Sequence, residues 1–286
     1  FYIDIREKER IENCELFYKL SEDFSTAFIH FEATSTNNGV IEYTIYDKNG
    51  EKVISTTESD FELKNPKLWW CNGQGEPYLY SWTARLLNTK SQVHGRVGFR
   101  KVELTMNDND WRAENGTRAY PPMTITLNGR IIFAKGSNWV NPEIFPGTIT
   151  RDTYEPLIRL AKEAHMNIFR IWGGAIVNKD CFFELCDEYG IMVWQEFPLA
   201  CNNYVGTDKY LKVLEQEATS IVKRIRKYDL YHVFDGCGFE KDVTRLVVCV
   251  KGKGSFLARM LADKGIYCEM FNDNCVVFIL SCADDE

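Results

Sequence analysis

Residues 191–197 read IMVWQEF: four apolar residues lead into Gln-Glu, and the chain then turns at Pro198. A short apolar run bounded by turn residues is typical of a buried strand. The runs IIFA at 131–134 and NIFRIW at 167–172 precede it and have the same character. Because the three runs are apolar throughout rather than alternating, they favour a parallel sheet covered by helices.

Helical patterns lie between and after these runs. The first helix is predicted to begin at a capping box formed by Asp152 and Glu155, with Pro156 in its opening turn. The second is predicted to run from an Asn178 cap to Gly190. The apolar positions at helical spacing are Tyr154, Leu157, Ile158 and Ala161, then Phe182, Leu185, Cys186 and Tyr189, then Leu214, Ala218, Ile221, Val222 and Ile225. Strands and helices therefore alternate along this part of the chain.

Two parallel-sheet architectures compete for this pattern. A nucleotide-binding sheet needs a glycine-rich phosphate turn after its first strand, but IIFA is followed by KGSNWVNPEIFPG. A (β/α) barrel instead gathers polar and aromatic side chains at the carboxyl ends of its strands. The residues at those ends are Asn138 and Trp139, then Arg170 and Trp172, then Gln195 and Glu196. We therefore predict the first part of a TIM barrel.

The segment from Phe24 to about Leu104 has the pattern of strands without a helical period. The stretches AFIHFEA, VIEYTIYDKNGEKV and YLYSWTARLL are rich in β-branched and aromatic residues. Asn49-Gly50 lies between two such runs and predicts a hairpin, as Asn128-Gly129 does further along. Short strands at regular spacing predict an antiparallel sandwich. We expect this part to be a supporting or a binding module.

Composition limits the classes of function. The 286 residues have a net charge of −7 and no basic stripe, which disfavours nucleic acid as a partner. No apolar run reaches the roughly 18 residues needed to cross a bilayer, so no membrane partner is predicted. The ten cysteines show no zinc spacing and are expected to be buried free thiols in a reducing compartment. The chain begins FYIDIREKER, so we expect an internal piece of a longer protein.

A family resemblance rests on NPKLWWCNGQGEPYLY, VGFRKVEL, FAKGSNWVNPEIFP, FRIWGGA, FFELCDEYGIMVWQEFPLACNNY and EQEATSIVKRIRK. Together these stretches, over residues 60–228, resemble the β-mannosidase-like branch of glycoside hydrolase family 2. The resemblance implies an immunoglobulin-like β-sandwich at 1–110 and the N-terminal part of a TIM barrel at 118–228. It also implies a sugar-binding jelly roll upstream of Phe1, and a β-linked mannoside or related glycan as substrate. No cofactor and no metal are predicted.

Enzymes of this family cleave glycosides with retention, using two carboxyl groups about 5 Å apart. The resemblance places the acid/base Glu after an Asn at the end of the fourth barrel strand, but VKRIRK is followed by YDLYHVFDGCGFEKD. Glu240 is the nearest carboxylate there, and the motif does not match it. We therefore expect both catalytic carboxylates to be missing from this chain.

The same resemblance makes Glu196 a carboxylate that lines or buttresses the site, with a buried ion pair to Arg170 as the structural alternative. Trp172 is the strongest candidate for substrate contact, because an indole face stacks on the C–H face of a pyranose. Trp139 and Asn138 are similar candidates, with core packing and turn capping as alternatives. Trp194 is expected to be a core residue.

The tail at 229–286 differs in composition and is predicted to be an unrelated α/β piece. The runs RLVVCV and CVVFIL are predicted strands, and FLARMLADKGI between them is a predicted helix. This order resembles the C-terminal part of the large domain of pyridoxal-phosphate-dependent ornithine/lysine/arginine decarboxylases. Two unrelated coding pieces are therefore expected to join near residue 228.

Three functions follow as hypotheses. The first is a retaining β-mannosidase-like glycosidase that hydrolyses O-glycosyl bonds and is inactive as this chain. The second is a non-catalytic carbohydrate-binding fragment that uses Trp172 and Trp139. The third, from the tail alone, is a fragment of a pyridoxal-phosphate-dependent decarboxylase.

Overall fold

The computed structural model describes residues 7–106, 123–200, 204 and 206–226, and the strands at 244–249, 270–271 and 275–280. None of the helices in these residues is both long and apolar enough to cross a membrane.

Seven strands in the first hundred residues form two antiparallel sheets. The first sheet has the order β1-β2-β5, with β1 at Ile11–Leu20, β2 at Thr26–Ser35 and β5 at Asp60–Lys64. The second has the order β4-β3-β6-β7, with β3 at Ile41–Tyr46, β4 at Lys52–Thr56, β6 at Tyr80–Leu86 and β7 at Gln92–Val97. Inward-facing residues of both sheets form one apolar core. The predicted two-sheet sandwich is confirmed, and its layout agrees with an immunoglobulin-like arrangement. We call β1–β7 the sandwich.

Aromatic side chains from the two sheets meet in this core. The ring of Phe31 in β2 stacks on Tyr43 in β3 with centroids 4.4 Å apart, and Trp82 meets Phe31 edge-on at 5.3 Å. The sandwich also contains β1, which lies within the predicted 1–110 but before Phe24, where the strand pattern of the sequence begins, and it contributes Tyr18 to the core. Its polar residues obscure the strand pattern in the sequence.

Both Asn-Gly pairs lie in hairpins. Asn128 and Gly129 both have positive φ, 49° and 76°, and they join two paired strands as a two-residue turn. At Asn49-Gly50 only Gly50 has positive φ, and the loop between β3 and β4 is longer. Asp47 closes that loop, because its Oδ1 accepts hydrogen bonds from the amides of Asn49 and Glu51 at 2.8 Å each.

A three-stranded antiparallel sheet connects the sandwich to the next part of the chain. Its order is β10-β9-β8, with β8 at Val102–Met106, β9 at Met123–Leu127 and β10 at Arg130–Ile132. Strand β8, which lies in the segment predicted to belong to the sandwich, pairs with β9 instead. The predicted boundary between 110 and 118 lies outside the described residues.

Residues 136–226 alternate strands and helices. The elements are β11 at Gly136–Trp139, α1 at Arg151–Glu163, β12 at Ile168–Ile171, α2 at Asp180–Tyr189, β13 at Met192–Gln195 and α3 at Asp208–Arg226. The three strands are parallel in the order β11-β12-β13, which confirms the predicted parallel sheet. Closure into a TIM barrel stays a prediction. We call these six elements the α/β unit.

The first parallel strand is GSNW rather than the predicted IIFA. Ile131 and Ile132 pair antiparallel with β9, because the tight turn at Asn128-Gly129 returns the chain along its own partner. Asn138 and Trp139 therefore lie within β11, at its carboxyl end, rather than after the strand.

The predicted start of α1 is two residues late. Thr150 is the N-cap, and its amide donates to Thr153 Oγ1 at 3.1 Å. Pro156 consequently lies inside the helix rather than in its opening turn. Tyr154, Ile158 and Ala161 are buried as predicted, whereas Leu157 is 41% exposed.

Lys179, not Asn178, occupies the N-cap position of α2, and its side chain makes no capping hydrogen bond. The Asn178 side chain is buried and accepts a hydrogen bond from Trp139 Nε1 at 3.2 Å, so tertiary contact takes it from the capping role. Gly190 ends α2 in the left-handed region, φ 76°, as predicted. Tyr189 is partly buried, and the other three predicted inward residues, Phe182, Leu185 and Cys186, are fully buried.

Helix α3 packs through Ile221, which is buried in the core of the α/β unit. Leu214 and Ala218 on the same face are partly buried, in agreement with the prediction. The side chains of Val222 and Ile225 lie outside the described residues.

The tail contains β14 at Thr244–Cys249, β15 at Met270–Phe271 and β16 at Cys275–Leu280 in an antiparallel sheet of order β14-β16-β15. The predicted strands RLVVCV and CVVFIL correspond to β14 and β16. The predicted helix FLARMLADKGI lies outside the described residues.

Four cysteines of residues 7–200 are free thiols: Cys14, Cys71, Cys181 and Cys186. Burial raises the pKa of Cys14 to about 12 and that of Cys71 to about 11, which keeps both protonated and unreactive at neutral pH.

A buried ion pair joins the sandwich to the α/β unit. Arg100, 2% exposed, donates from Nη2 to Asp187 Oδ1 at 2.9 Å, and its guanidinium lies 4.2 Å from the ring centre of Trp69. Trp69 Nε1 in turn donates to the Asp187 carbonyl at 2.8 Å. Burial raises the pKa of Asp187, and the charge of Arg100 opposes that rise.

Side-chain amides and apolar packing complete this junction. Asn72 Nδ2 donates to the carbonyls of Lys162 and Met166, each at 2.9 Å, and so satisfies the C-terminal end of α1. The Asn72 amide donates to the carbonyl of Gly190 at 2.7 Å. Around these bonds the apolar residues of the junction form a small core: Trp69, Cys71, Leu127, Ile132 and Met192.

Replacing Asp187 by Asn should lower the free energy of unfolding by about 3–5 kcal/mol, because Arg100 cannot deprotonate and would remain buried without its counter-charge. Urea denaturation of the full chain measures the change. The control is Glu42→Gln, which breaks the exposed pair of Glu42 with Arg85 and should cost at most about 1 kcal/mol. Equal losses for the two variants would contradict a central role for the buried pair.

Candidate functional site

The carboxyl ends of β11, β12 and β13 lie along one edge of the parallel sheet, which we call the rim. The strand ladder continues one residue past each end. Trp172 donates its amide to the Trp139 carbonyl at 3.1 Å, and Glu196 donates to the Ile171 carbonyl at 3.2 Å. These two hydrogen bonds therefore hold Trp172 and Glu196 in fixed positions just beyond the carboxyl ends of their strands.

A chain of polar contacts crosses the rim. Arg170 Nε donates to Glu196 Oε1 at 2.8 Å, and Nη2 binds the same oxygen. Arg170 Nη1 donates to Asn138 Oδ1 at 3.0 Å, across the register pair of β11 and β12. The predicted pairing of Glu196 with Arg170 is present, but the side chains are 27% and 38% exposed rather than buried. The three groups are thus open to solvent on one side.

Glu196 also holds the turn after β12. Its Oε2 accepts the amide of Gly173 at 3.0 Å, and the Gly173 carbonyl accepts the amide of Ala200 at 3.3 Å. A Cβ at Gly173 would lie 2.3 Å from the Phe197 carbonyl oxygen. Only glycine fits there, because the turn after β12 is pressed against the segment after β13.

The indole of Trp172 lies across Gly174. A Cβ on Gly174 would come within 2.1 Å of Trp172 Cζ2 and 2.3 Å of Cη2. Trp172 is partly buried, so its ring is supported by the backbone of the next turn and still reaches solvent. This arrangement leaves an aromatic surface at the rim, on the turn that Glu196 anchors.

Trp139 does not share that exposure. It is 8% exposed, and its ring centre lies 5.0 Å from that of Phe169 and 4.9 Å from that of Phe182. With its Nε1 bound to Asn178, the whole indole belongs to the core between sheet and helices. Its burial argues against the predicted ligand contact, and Trp139 instead supports the strand that carries Asn138. Contact of the other four predicted residues with a ligand stays a prediction.

The prediction that Trp194 is a core residue is wrong. It is 45% exposed rather than core. In β13 it is in register with Arg170, so both lie on the same face of the sheet, while Val193 packs with the helix-facing core. The alternation of a strand could have indicated this, since Val193 and Trp194 must face opposite ways. The prediction missed it because the whole run was interpreted as buried.

The polar side chains of the rim bind one another and the backbone of the turn after β12. Both oxygens of Glu196 accept hydrogen bonds from protein donors. In the described ranges, no three His, Cys, Asp or Glu side chains come together as metal ligands. What the rim presents is an aromatic face beside an array of N–H donors.

Comparisons with known proteins agree with the resemblance found in the sequence. Residues 9–100 match glycosyl hydrolases family 2. The chain is 31% identical over 189 residues to a β-mannosidase B of Aspergillus oryzae, covering 65% of this chain and 21% of that relative. It is 31% identical over 186 residues to a β-mannosidase of Capra hircus, covering 63% and 20%. The chain thus spans about a fifth of the length of these relatives.

Solved structures give the same result. A β-D-mannosidase from Dictyoglomus thermophilum superposes with a TM-score of 0.63 at 33% identity, covering 79% of this chain and 29% of that one. A β-glucuronidase from Parabacteroides merdae superposes with a TM-score of 0.59 at 21% identity, over 77% and 28%, which supports the fold alone. The chain is therefore similar to family 2 glycoside hydrolases of the β-mannosidase type. The decarboxylase-like origin of the tail stays a prediction.

Replacing Gly173 by Ala should destabilise the protein by about 1–3 kcal/mol, because the new methyl group would overlap a backbone oxygen that cannot move freely. Thermal or urea unfolding measures the loss. Gly147→Ala is the matched control: an added Cβ there has nothing within 4 Å, and the change should stay within about 0.5 kcal/mol. Similar stability of the two variants would show that the packed turn is wrong.

Proposed function

We propose that this chain contains the sandwich and the first βα units of a β-mannosidase-like retaining glycoside hydrolase, and that its rim binds the sugar ring of a β-linked mannoside. The proposal is supported by the run of motifs over residues 60–228 and by the similarity to β-mannosidases. It extends to this chain what the names of those relatives say of them. The geometry of the rim supports it independently.

The observation that carries the proposal is the position of Trp172. A pyranose presents an apolar C–H face and a polar edge of hydroxyls. Trp172 offers a partly exposed indole that Gly174 and Gly173 hold in one orientation. Arg170 lies in β12, the strand that Trp172 follows, and Asn138 lies in the neighbouring β11, where both can bind hydroxyl groups. Among the described residues, Glu196 and Asn138 engage three of the five N–H groups of Arg170, which leaves two for a ligand.

Hydrolysis requires a second set of groups. A retaining mechanism needs two carboxyl groups about 5 Å apart, one of which must exchange a proton with the leaving group. Glu196 is held by Arg170 and Gly173 and does not have that freedom. We therefore propose that Glu196 supports binding, and that cleavage by an enzyme of this type uses carboxylates other than those of the described rim.

A non-catalytic carbohydrate-binding role is the second candidate, and the engagement of both Glu196 oxygens favours it for the chain as it stands. In either case the ligand and the rim are the same. The two differ in whether bound glycoside is cleaved.

Replacing Trp172 by Ala should weaken binding of methyl β-D-mannopyranoside by about tenfold or more, since an aromatic anchor contributes strongly to a binding site. Isothermal titration calorimetry on the full chain measures the affinity. Trp70→Ala is the control, because Trp70 is also partly buried but stacks on Arg130 near the opposite end of the strands. Equal effects of the two substitutions, or none from Trp172→Ala, would refute the proposed site.

The chain should bind 4-nitrophenyl β-D-mannopyranoside without releasing nitrophenolate, because the rim lacks a free pair of carboxyl groups. Release is followed by absorbance over hours at saturating substrate. Measurable turnover that Glu196→Gln abolishes would assign Glu196 a catalytic role and contradict the binding role proposed for it.

A further inference from the structure

We propose that the rim continues into an apolar aglycone site, and that the preferred ligand is a β-mannoside of an alkyl or aryl alcohol. This inference rests on the proposed sugar-binding function and names the class of glycoside. Four exposed apolar side chains lie in the two loops that follow β11 and β12, and we call them the apolar patch: Val140, Ile144 and Phe145 in the first loop, and Ile176 in the second. Ile144, 89% exposed, is the most exposed large apolar side chain in the described part of the chain.

Hydrogen bonds join these two loops at both of their ends. Where the loops begin, the amide of Trp172 donates to the carbonyl of Trp139 at 3.1 Å. Where they end, the Lys179 ammonium donates to the carbonyl of Gly147 at 3.1 Å and to that of Ile149. The apolar patch lies between these two sets of bonds, on the same side of the sheet as the turn of Trp172. It is therefore a continuation of the rim rather than a separate surface.

The segment that carries Ile144 and Phe145 is held in place. The carbonyl of Phe145 accepts the amide of Thr148 at 3.0 Å and Thr148 Oγ1 at 2.8 Å, which closes a short 3-10 turn. Ile149 follows that turn and is buried in the core of the α/β unit. An apolar surface that is already ordered gains free energy when a ligand covers it and loses little conformational freedom in doing so.

The chemistry of the two loops favours an apolar group over a second sugar. Three of the four patch residues are aliphatic, and such side chains contact an alkyl chain or a ring without hydrogen bonds. Polar groups that could bind further hydroxyls are used within the protein. Thr148 Oγ1 donates to a carbonyl, Asn178 is buried against Trp139, and the Lys179 ammonium is turned toward the backbone. An alkyl or aryl aglycone therefore fits the patch.

The test is calorimetric titration of the full chain with hexyl β-D-mannopyranoside and methyl β-D-mannopyranoside. The hexyl mannoside should bind about tenfold more tightly, because the alkyl chain removes apolar surface of the patch from water. The double variant Ile144→Ser/Phe145→Ser should lower the ratio of hexyl to methyl affinity to less than about threefold.

Phe133→Ser is the matched control. Phe133 is 80% exposed, but it precedes β11 and so lies toward the opposite end of the strands. Its substitution should leave the ratio of affinities unchanged. All three substituted side chains are exposed, so both variants should keep the near-ultraviolet circular dichroism spectrum of the unmodified chain.

The inference is overturned, with sugar binding intact, if the unmodified chain binds the two mannosides equally, a comparison that needs no variant. It is also overturned if the preference for the hexyl mannoside persists in the double variant or falls equally in Phe133→Ser. Tighter binding of β-1,4-mannobiose than of the hexyl mannoside would make the patch a second sugar site instead. Self-association in light scattering that the double variant abolishes would make a second copy of the chain its occupant. If the unmodified chain binds neither mannoside, the proposed function fails and the inference fails with it.

Discussion

The buried contact among Arg100, Asp187 and Trp69 is the constraint on which the arrangement of the two parts depends. A guanidinium that is 2% exposed is tolerable only while its counter-charge and its aromatic neighbour stay in place. Asp187 belongs to α2, and Arg100 directly follows the sandwich strands. Separating the two charges would leave each of them buried without a partner, which costs free energy. The pair therefore fixes the orientation of α2 on the sandwich and also stabilises the fold.

A continuous series of contacts links α2 to the rim, and it begins with apolar packing. Phe182 on the inner face of α2 contacts Trp139, whose strand also carries Asn138 at its carboxyl end. Asn138 binds Arg170, and Arg170 binds Glu196, which holds Gly173 and with it the turn of Trp172. The indole that we propose as the sugar platform is thus the last member of a connected series.

The parallel sheet, the hairpin at Asn128-Gly129, the end of α2 at Gly190 and the proximity of Arg170 to Glu196 could all be predicted from the sequence. Each depends on local pattern or on neighbours in a regular sheet. What could not be predicted depends on distant partners. Asn178 is not the cap of α2 because the Trp139 indole binds its side chain. Ile131 is not in the first parallel strand because β9 takes it.

The central claim is that a sugar is bound at the rim, over Trp172. The most direct measurement is the set of indole N–H resonances in a ¹⁵N-labelled sample titrated with methyl β-D-mannopyranoside. The account predicts a saturable shift of the Trp172 resonance, with no change at Trp69, whose Nε1 is bound to the Asp187 carbonyl near the opposite end of the strands. Shifts confined to Trp69 or Trp70, or none at all at saturating sugar, would contradict it.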